Sequence, residues 1–449
     1  MNFHRLFEVM NRGLQVSVDY QRLCEDIKCW GTELGFRRVG VSSIDLAGDE
    51  RRFQEWLAAG YHGEMSYMAR HGLKRSRPTE LVPGTCRVIS ASMDYLPEAG
   101  IAGAMRVLRD PHLGYVARYA LGRDYHKVLR RRLARLLQRI VTQTGQGQYR
   151  VPYRGANTPA VNISVGKASC SPEGSRGLDS NDSKGLDCKD LDWNADAGLD
   201  TELPGTGPEP KSEPDMGLDA DLGTDTNPDP FQGRVFVDSA PVLEKALARN
   251  AGLGWIGKHG NLIQRKAGSC FLLGEIYTNV PLPVDTPSQR HCGTCRACIT
   301  ACPTEAIVAP YRLDARKCVA YLTMEYRGVI PLPLRERMGN RIFGCDDCQI
   351  ACPWNRFART TGERDFSPRN GLDAPSLVDL FRWSEAEFQE RTAGSALRRI
   401  GYECWLRNIA VAMGNASPST RMAAVLEERV GYPSPLVAEH VAWALARHR

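Results

Sequence analysis

The chain has 449 residues, 42% of them hydrophobic, with 58 Lys or Arg against 52 Asp or Glu and a formal net charge of +6. That length predicts two or three domains, and with no run of about 18 apolar residues a membrane span is not expected. Its 15 cysteines would suit a disulfide scaffold only in a much shorter secreted chain, and residues 1–20 lack the apolar core of a signal peptide, so a reducing cytoplasmic location is expected. The charge is unevenly divided. Residues 167–230 hold 16 Asp or Glu and 5 Lys or Arg, which leaves 53 Lys or Arg against 36 Asp or Glu elsewhere. A body that basic attracts a polyanion such as nucleic acid, or is simply a solvated surface.

In chain order, residues 18–57 read as helix, strand and helix. Leu23, Ile27, Trp30 and Leu34 recur at helical spacing, whereas Val39 and Val41 alternate around the strand 38–42. Arg75 and Arg77 precede Pro78 and either grip a phosphate or face solvent; residues 87–93 read as a central strand. From Gly122 the chain enters a long amphipathic helix ending near Thr142. Leu129, Leu133, Leu136, Leu137 and Ile140 form its apolar stripe, and Lys127, Arg130, Arg131, Arg132, Arg135 and Arg139 supply the rest. Cations so crowded repel one another unless something neutralises them, and an RNA backbone would do so; a solubilising face is the plainer reading.

Residues 145–233 break this pattern. Gly, Pro, Ser and Asp dominate, Gly-Leu-Asp recurs at 177, 185, 198 and 217, and so little apolar area predicts disorder. The repeats invite a calcium reading but lack the spacing of an EF-hand loop; a surface insertion is the expected reading, and as an acidic mimic it would compete with RNA for the basic body. A short strand resumes at 234 and ends on Asp238, which either caps the helix 242–250 or has a chemical role. Gly252, Gly254 and Gly257 match G-x-G-x-x-G, but they follow a helix and no acidic ribose ligand stands at the right distance, so a dinucleotide site is a poor fit. Residues 269–279 read as a strand. After Pro353 the chain turns helical, in segments around 396–400, 405–413 and 436–447 that resemble a HEAT-type hairpin, with Arg398, Arg399 and Arg407 continuing the basic theme.

The stretch 292–353 is the most specific. Cys292, Cys295, Cys298 and Cys302 precede Pro303 with the C-x2-C-x2-C-x3-C-P spacing of bacterial ferredoxins, in which three thiolates hold one 4Fe-4S cube and the fourth reaches the other. Cys345, Cys348 and Cys352 repeat the end of that run before Pro353, and Cys318 completes the second set across a looped-out helix. Two clusters are predicted: one on Cys292, Cys295, Cys298 and Cys352, the other on Cys302, Cys318, Cys345 and Cys348. A pair of zinc ribbons is the alternative, but zinc ribbons do not need two C-x3-C-P tails whose cysteines swap partners. The other seven cysteines read as buried or idle thiols. Two cubes make a wire for single electrons, and the wire must end at a redox partner.

Over nearly its whole length outside the insertion the chain resembles the epoxyqueuosine reductases of tRNA modification. The likeness rests on Arg75-Ser-Arg-Pro78, Gly122-Arg-Asp-Tyr-His-Lys127, Val237-Asp-Ser-Ala-Pro-Val-Leu-Glu244, Gly252-Leu-Gly-Trp-Ile-Gly-Lys258, Gly344-Cys-Asp-Asp-Cys-Gln349 and the eight cysteines. It implies an α+β, cobalamin-binding reductase core (18–144 and 234–283) interrupted by the insertion (145–233). A ferredoxin-like double 4Fe-4S domain (284–358) and a HEAT-like helical segment (359–449) would follow. It implies cobalamin, and reduction of the epoxide of epoxyqueuosine to queuosine at the wobble position. By the same likeness Asp238 is the proton donor. Gly254, Trp255, Gly257 and Lys258 lie against the cobalamin, and Arg75 contacts it too.

Because protonating the leaving oxygen is acid work, Asp238 is expected to keep its proton near neutral pH. Basic segments at 118–139 and 398–407 would hold the anticodon stem-loop, with the base splayed out. An external electron donor and a monomer are expected. The insertion and His259-Gly260 depart from the family pattern. Two other readings remain: a cobalamin-dependent reductive dehalogenase, a class usually exported, and a ferredoxin-type electron carrier, which leaves most of the chain without a role.

Overall fold

A four-stranded antiparallel sheet organises the residues that the computed structural model describes, 19–144 and 232–449. The expected disordered insertion, with its calcium and RNA-mimic readings, lies outside the described residues apart from Gln232 and Gly233. The strands are β1 (Arg38–Ser42), β2 (Arg87–Asp94), β3 (Gly233–Val237) and β4 (Phe271–Thr278), in the spatial order β1-β2-β4-β3. β2 and β4 pair along their whole length, from Arg87 opposite Thr278 to Asp94 opposite Phe271. They form the centre, as expected for 87–93, and residues 88–93 of β2 are all buried. β3 is an edge strand that ends with Val237 opposite Gly274.

Side chains alternate between the two faces of the sheet. Helix α1 (Tyr20–Glu33) starts at Asp19, whose carboxylate accepts the Gln21 and Arg22 amides; α2 (Ala47–Ala58) follows β1. Helix α3 (Tyr125–Thr144) packs its leucine stripe with α1 on the face of Ile89, Ala91, Met93, Val235, Val237 and Ile276. Helix α4 (Glu244–Asn250) covers the opposite face, where Leu247 meets Val88, Phe236 and Tyr277. Two of the six cations on α3 are neutralised within the fold rather than by RNA. Arg132 pairs with Glu363 and donates to the Leu34 carbonyl at 2.8 Å, and Arg139 pairs with Glu33 at 2.5 Å. Acids distant in sequence do what the local pattern left to a partner.

Helix α5 (Val319–Met324) lies among the cysteines; beyond them, α6 (Tyr402–Gly414), α7 (Thr420–Glu427) and α8 (Pro435–Ala446) build a second core, in which α6 is buried on nearly every side. Arg407 was expected on an RNA-binding face. It is instead fully buried, donating to the carbonyls of Leu322, Tyr326 and Gly328. Asn408 beside it bonds to the carbonyls of Thr323 and Ile342, so the pair ties α6 to the cysteine region. Arg118 is likewise buried, over the Tyr115 ring and bonded to the Asp373 carbonyl. A buried cation whose donors meet backbone carbonyls is costly to truncate, because the carbonyls lose their only non-aqueous partners. We expect Arg407→Met to lower unfolding stability by about 3–5 kcal/mol, measured by chemical denaturation.

Candidate active site

Asp238 follows the last residue of β3, six positions before α4 begins, and the Leu243 backbone rather than Asp238 precedes that helix. The capping role is therefore excluded by position. The carboxylate turns towards the start of α3 instead. Tyr125 donates its hydroxyl to Asp238 Oδ2, and His126 Nε2 lies 3.5 Å from the same oxygen. His126 Nδ1 bonds to Asp124 Oδ1 at 2.8 Å, and Arg399 donates to Asp124 Oδ2 at 2.8 Å. The loop that carries these groups is held from outside, since the Arg123 and Asp124 amides donate to the carbonyls of Asp365 and Gly394. Gly122 is obligatory there: a Cβ would stand 2.4 Å from the Asp365 carbonyl oxygen.

The electrostatics of this chain of groups follow from those bonds. Desolvation pushes Asp238 up, but the hydrogen bonds from His126 and Tyr125 win and hold its carboxyl below the ordinary range. Burial pushes His126 down, yet its bonds to Asp124 and Asp238 outweigh that and raise it. The two directions together favour a charged pair, with Asp238 held as the carboxylate rather than kept protonated as expected, because two donors reward its charged form. Two more acids lie close. Burial and the Asp238 charge lift Glu244 to about 8, and Glu275 in β4, fully buried with neither oxygen bonded, is pushed well above its ordinary value.

Asp238 borders two cavities. One, of about 930 Å³, is lined by Phe53 and Trp56 of α2, Met68, Arg75, Leu243 and Glu325 among others. The second, of about 450 Å³, runs from Tyr125, Asp238 and Glu244 to Cys302, Cys318, Cys345 and Cys348. Arg75 is buried beneath the larger cavity; it donates to the Tyr67 carbonyl at 3.1 Å, and its Nε has no partner. Arg77 is spent on Glu50 and Glu80 at the surface.

The other predicted cysteine set, Cys292, Cys295, Cys298 and Cys352, lines a separate cavity of about 220 Å³. Both sets are thus brought together as the spacing implies. The glycine turn reaches the cavities at Asp238 through Ile256, His259 and Gly260. Gly254, Trp255, Gly257 and Lys258 line neither cavity at Asp238. A Cβ on Gly254 would lie 2.2 Å from the Ile263 carbonyl oxygen, so this glycine serves a tight hairpin. Trp255 is buried against His291 and Trp354, and Lys258 donates to the carbonyls of Gly293 and Cys295 at 2.6 and 2.8 Å. These residues brace the first cysteine loop. Tyr125, His126 and Glu244 were legible only as letters of matching motifs, and nothing in their local spacing announced that α3 and β3 would bring them to one carboxylate.

A mixed α/β core, two four-thiol cavities and an acid–histidine site bordering one of them define an iron-sulfur oxidoreductase. Residues 291–355 match the family model of the 4Fe-4S double cluster binding domain, and residues 75–153 that of epoxyqueuosine reductase QueG, DUF1730. An epoxyqueuosine reductase of Pseudomonas aeruginosa is 49% identical over 431 residues, 96% of each chain. One of Escherichia coli is 45% identical over 430 residues, covering 96% of this chain and 90% of that one. A crystal structure of an epoxyqueuosine reductase with an epoxyqueuosine-modified tRNA stem loop superposes with a TM-score of 0.69 at 21% identity, over 95% of this chain and 90% of the other. The chain belongs to the epoxyqueuosine reductase family.

The double-cluster match decides against zinc ribbons. Because Cys352 lines one cavity and Cys318 the other, we expect Cys352→Ser and Cys318→Ser each to lose about half the iron and sulfide of the parent protein. The surviving cube should give a different electron paramagnetic resonance signal in each variant.

Proposed function

We propose that this protein reduces the epoxide of epoxyqueuosine to the alkene of queuosine at the wobble position of tRNA, the oxygen leaving as water. The balance is two electrons and two protons per oxygen removed. The observation that carries the reading is the position of Asp238, on the wall shared by the cavity of the second cysteine set and the larger cavity. Electrons that reach Cys302, Cys318, Cys345 and Cys348 arrive beside a group able to handle a proton. A plain electron carrier would have no use for such a site.

The larger cavity suits cobalamin. Apolar Phe53, Trp56, Met68 and Leu243 share its walls with charged side chains, and buried Arg75 has an orphaned Nε for a polar edge group. Those five residues would hold the cofactor, whose cobalt, when bound, supplies one-electron chemistry and a strong nucleophile. The chain's own contribution is the proton. His126 stores it, and Asp238 passes it to the departing oxygen once a substrate seals the cavity and strips water from the carboxylate. Tyr125 and Asp124 fix the orientation of this pair, and Arg399 anchors Asp124.

For the tRNA we assign the exposed cations Arg123, Lys127, Arg131, Arg135 and Arg398, which would contact phosphates of the anticodon stem-loop and place the splayed base over Asp238. We keep the division into a core of 18–144 and 234–283, a cluster domain of 284–358 and a HEAT-like segment of 359–449. The last rests on the packing of α6 against α8 with the short α7 between them. A cytoplasmic monomer fed by an external donor completes the reading; among the described residues no helix is long and apolar enough to cross a membrane.

The direct test is anaerobic incubation of the reconstituted protein with epoxyqueuosine-bearing tRNA and a strong reductant, followed by nucleoside mass analysis. Loss of one oxygen is the expected result. Asp238→Ala should retain both clusters and bound cobalamin yet lose turnover by roughly 10²–10⁴-fold; full activity would remove Asp238 from the mechanism. Because His126 is raised above its ordinary 6.5, its proton is kept to higher pH than a free imidazole's and is lost as pH climbs through the raised value. The parent rate should therefore fall on the alkaline side, and His126→Gln should be slow with that limb flattened.

A further inference from the structure

The cavity of Cys292, Cys295, Cys298 and Cys352 is where three stretches of chain meet: 258–263, 292–298 and 352–357. Around it the sequence is one-sided. Residues 258–274, 286–304 and 350–362 contain Lys and Arg but not a single Asp or Glu. Arg265, Lys266, Arg296, Arg356 and Arg359 are all exposed. The turn that carries Arg265 and Lys266 is closed by the Gln264 amide on the Gly268 carbonyl at 2.7 Å, and it is pressed so tightly on Asn355 that a Cβ at Gly268 would lie 2.0 Å from Asn355 Oδ1. Arg356 stacks on the Phe357 ring at 4.6 Å, and that ring is 39% exposed. Cys295 is exposed and Cys292 partly so, whereas none of the four cysteines of the other set is exposed.

We propose that this face is the docking surface for an acidic one-electron carrier protein, which delivers electrons at the first cysteine set. The inference rests on the iron-sulfur relay argued above. Each encounter oxidises the carrier by one electron and reduces the cluster by one, and two encounters supply the pair that epoxide removal consumes. An exposed aromatic carrying a stacked arginine, on a face with exposed cations and no acid in its stretches of chain, suits a small, transient interface in which charge sets the encounter rate and little area is buried. A phosphate backbone would find the same cations, but the substrate base must reach Asp238 through the larger cavity. That cavity is lined by Arg52, Arg75, Arg249, Arg290, Arg327 and Arg399, and by none of the five cations named here. Only this face brings an exposed thiol of the relay to the surface.

The test uses the cluster-loaded full chain and a plant-type [2Fe–2S] ferredoxin, an acidic carrier, as the probe. Bleaching of the cluster absorbance is followed by stopped flow without tRNA, and complex formation is measured separately with the oxidised carrier. In K266E/R356E the rate of reduction by ferredoxin and its affinity should fall about tenfold or more and lose most of their salt dependence. Cluster content and turnover driven by reduced methyl viologen should match the parent. If the charge reversal disturbs cluster assembly, K266Q/R356Q carries the same expectation with a smaller drop. Unchanged reduction by ferredoxin overturns the proposal, and unchanged reduction with lost tRNA affinity reassigns the face to RNA. Failure of the function itself would look different, as intact tRNA after viologen-driven incubation of the parent.

Discussion

The fold around the relay depends on one constraint: cysteines from two loops must exchange places. Cys352 returns to the cavity of Cys292, Cys295 and Cys298, while Cys302 leaves its own run for the cavity of Cys318, Cys345 and Cys348. Neither cavity closes unless both loops are in place. Polar side chains with several backbone partners enforce that arrangement. Gln349 and Asn355 both bond to Ser269 just before β4, and Asn340 gathers the carbonyls of Val107, Asp110 and Leu113. Asn408 adds those of Thr323 and Ile342. Burial raises the thiols of Cys345 and Cys348 well above their ordinary value. In the absence of iron they are therefore protonated, and cluster assembly must release those protons as it locks the loops. Folding of this region and loading of the relay are one equilibrium.

The reductase site depends on how three acids share a small volume. Asp238, Glu244 and Glu275 cannot all be charged there, because like charges in a desolvated pocket raise one another. The hydrogen-bond donors decide among them. Tyr125 and His126 both address Asp238, none addresses Glu275, and Glu244 keeps one oxygen unbonded. Negative charge settles on Asp238, and the neutral forms of the other two surround it. The consequence is a carboxylate whose protonation answers to its surroundings, since any closure that weakens the two donor bonds shifts the proton from His126 towards it. Such a site is tuned by contact with a ligand rather than by bulk pH alone.

How much of this could be read from the chain depends on the range of each signal. The strands at 38–42 and 87–94, the helix from 125 and the strand at 271–278 announced themselves through local periodicity, and so did the pairing of eight cysteines into two sets. Partners far apart in sequence did not. Glu33 and Glu363 neutralise cations of α3 that looked destined for RNA, and carbonyls of 322–328 capture Arg407, which looked like surface. The packing partners of the glycine turn were hidden for the same reason. Gly254 and Gly257 answer to Ile263 across a hairpin, and Lys258 to the carbonyls of Gly293 and Cys295. A glycine pattern states that backbone is approached closely; it does not state by what.

The cations fall into populations that the net charge of +6 conceals. Some, such as Arg335 and Arg407, are buried and act as structural struts, Arg407 on three carbonyls and Arg335 on the Ile330 carbonyl and Glu439. Others line the Asp238 cavity, and a third group rings the first cysteine cavity with no acid nearby in sequence. A protein that must bring a polyanionic substrate and an electron source to one relay gains from keeping their entrances apart, because a bound tRNA would otherwise repel an acidic carrier from the port it needs. The exposed thiol lies with the third group and the proton-bearing pair with the second. The relay joins them through the protein interior, so electrons can enter while the substrate remains bound.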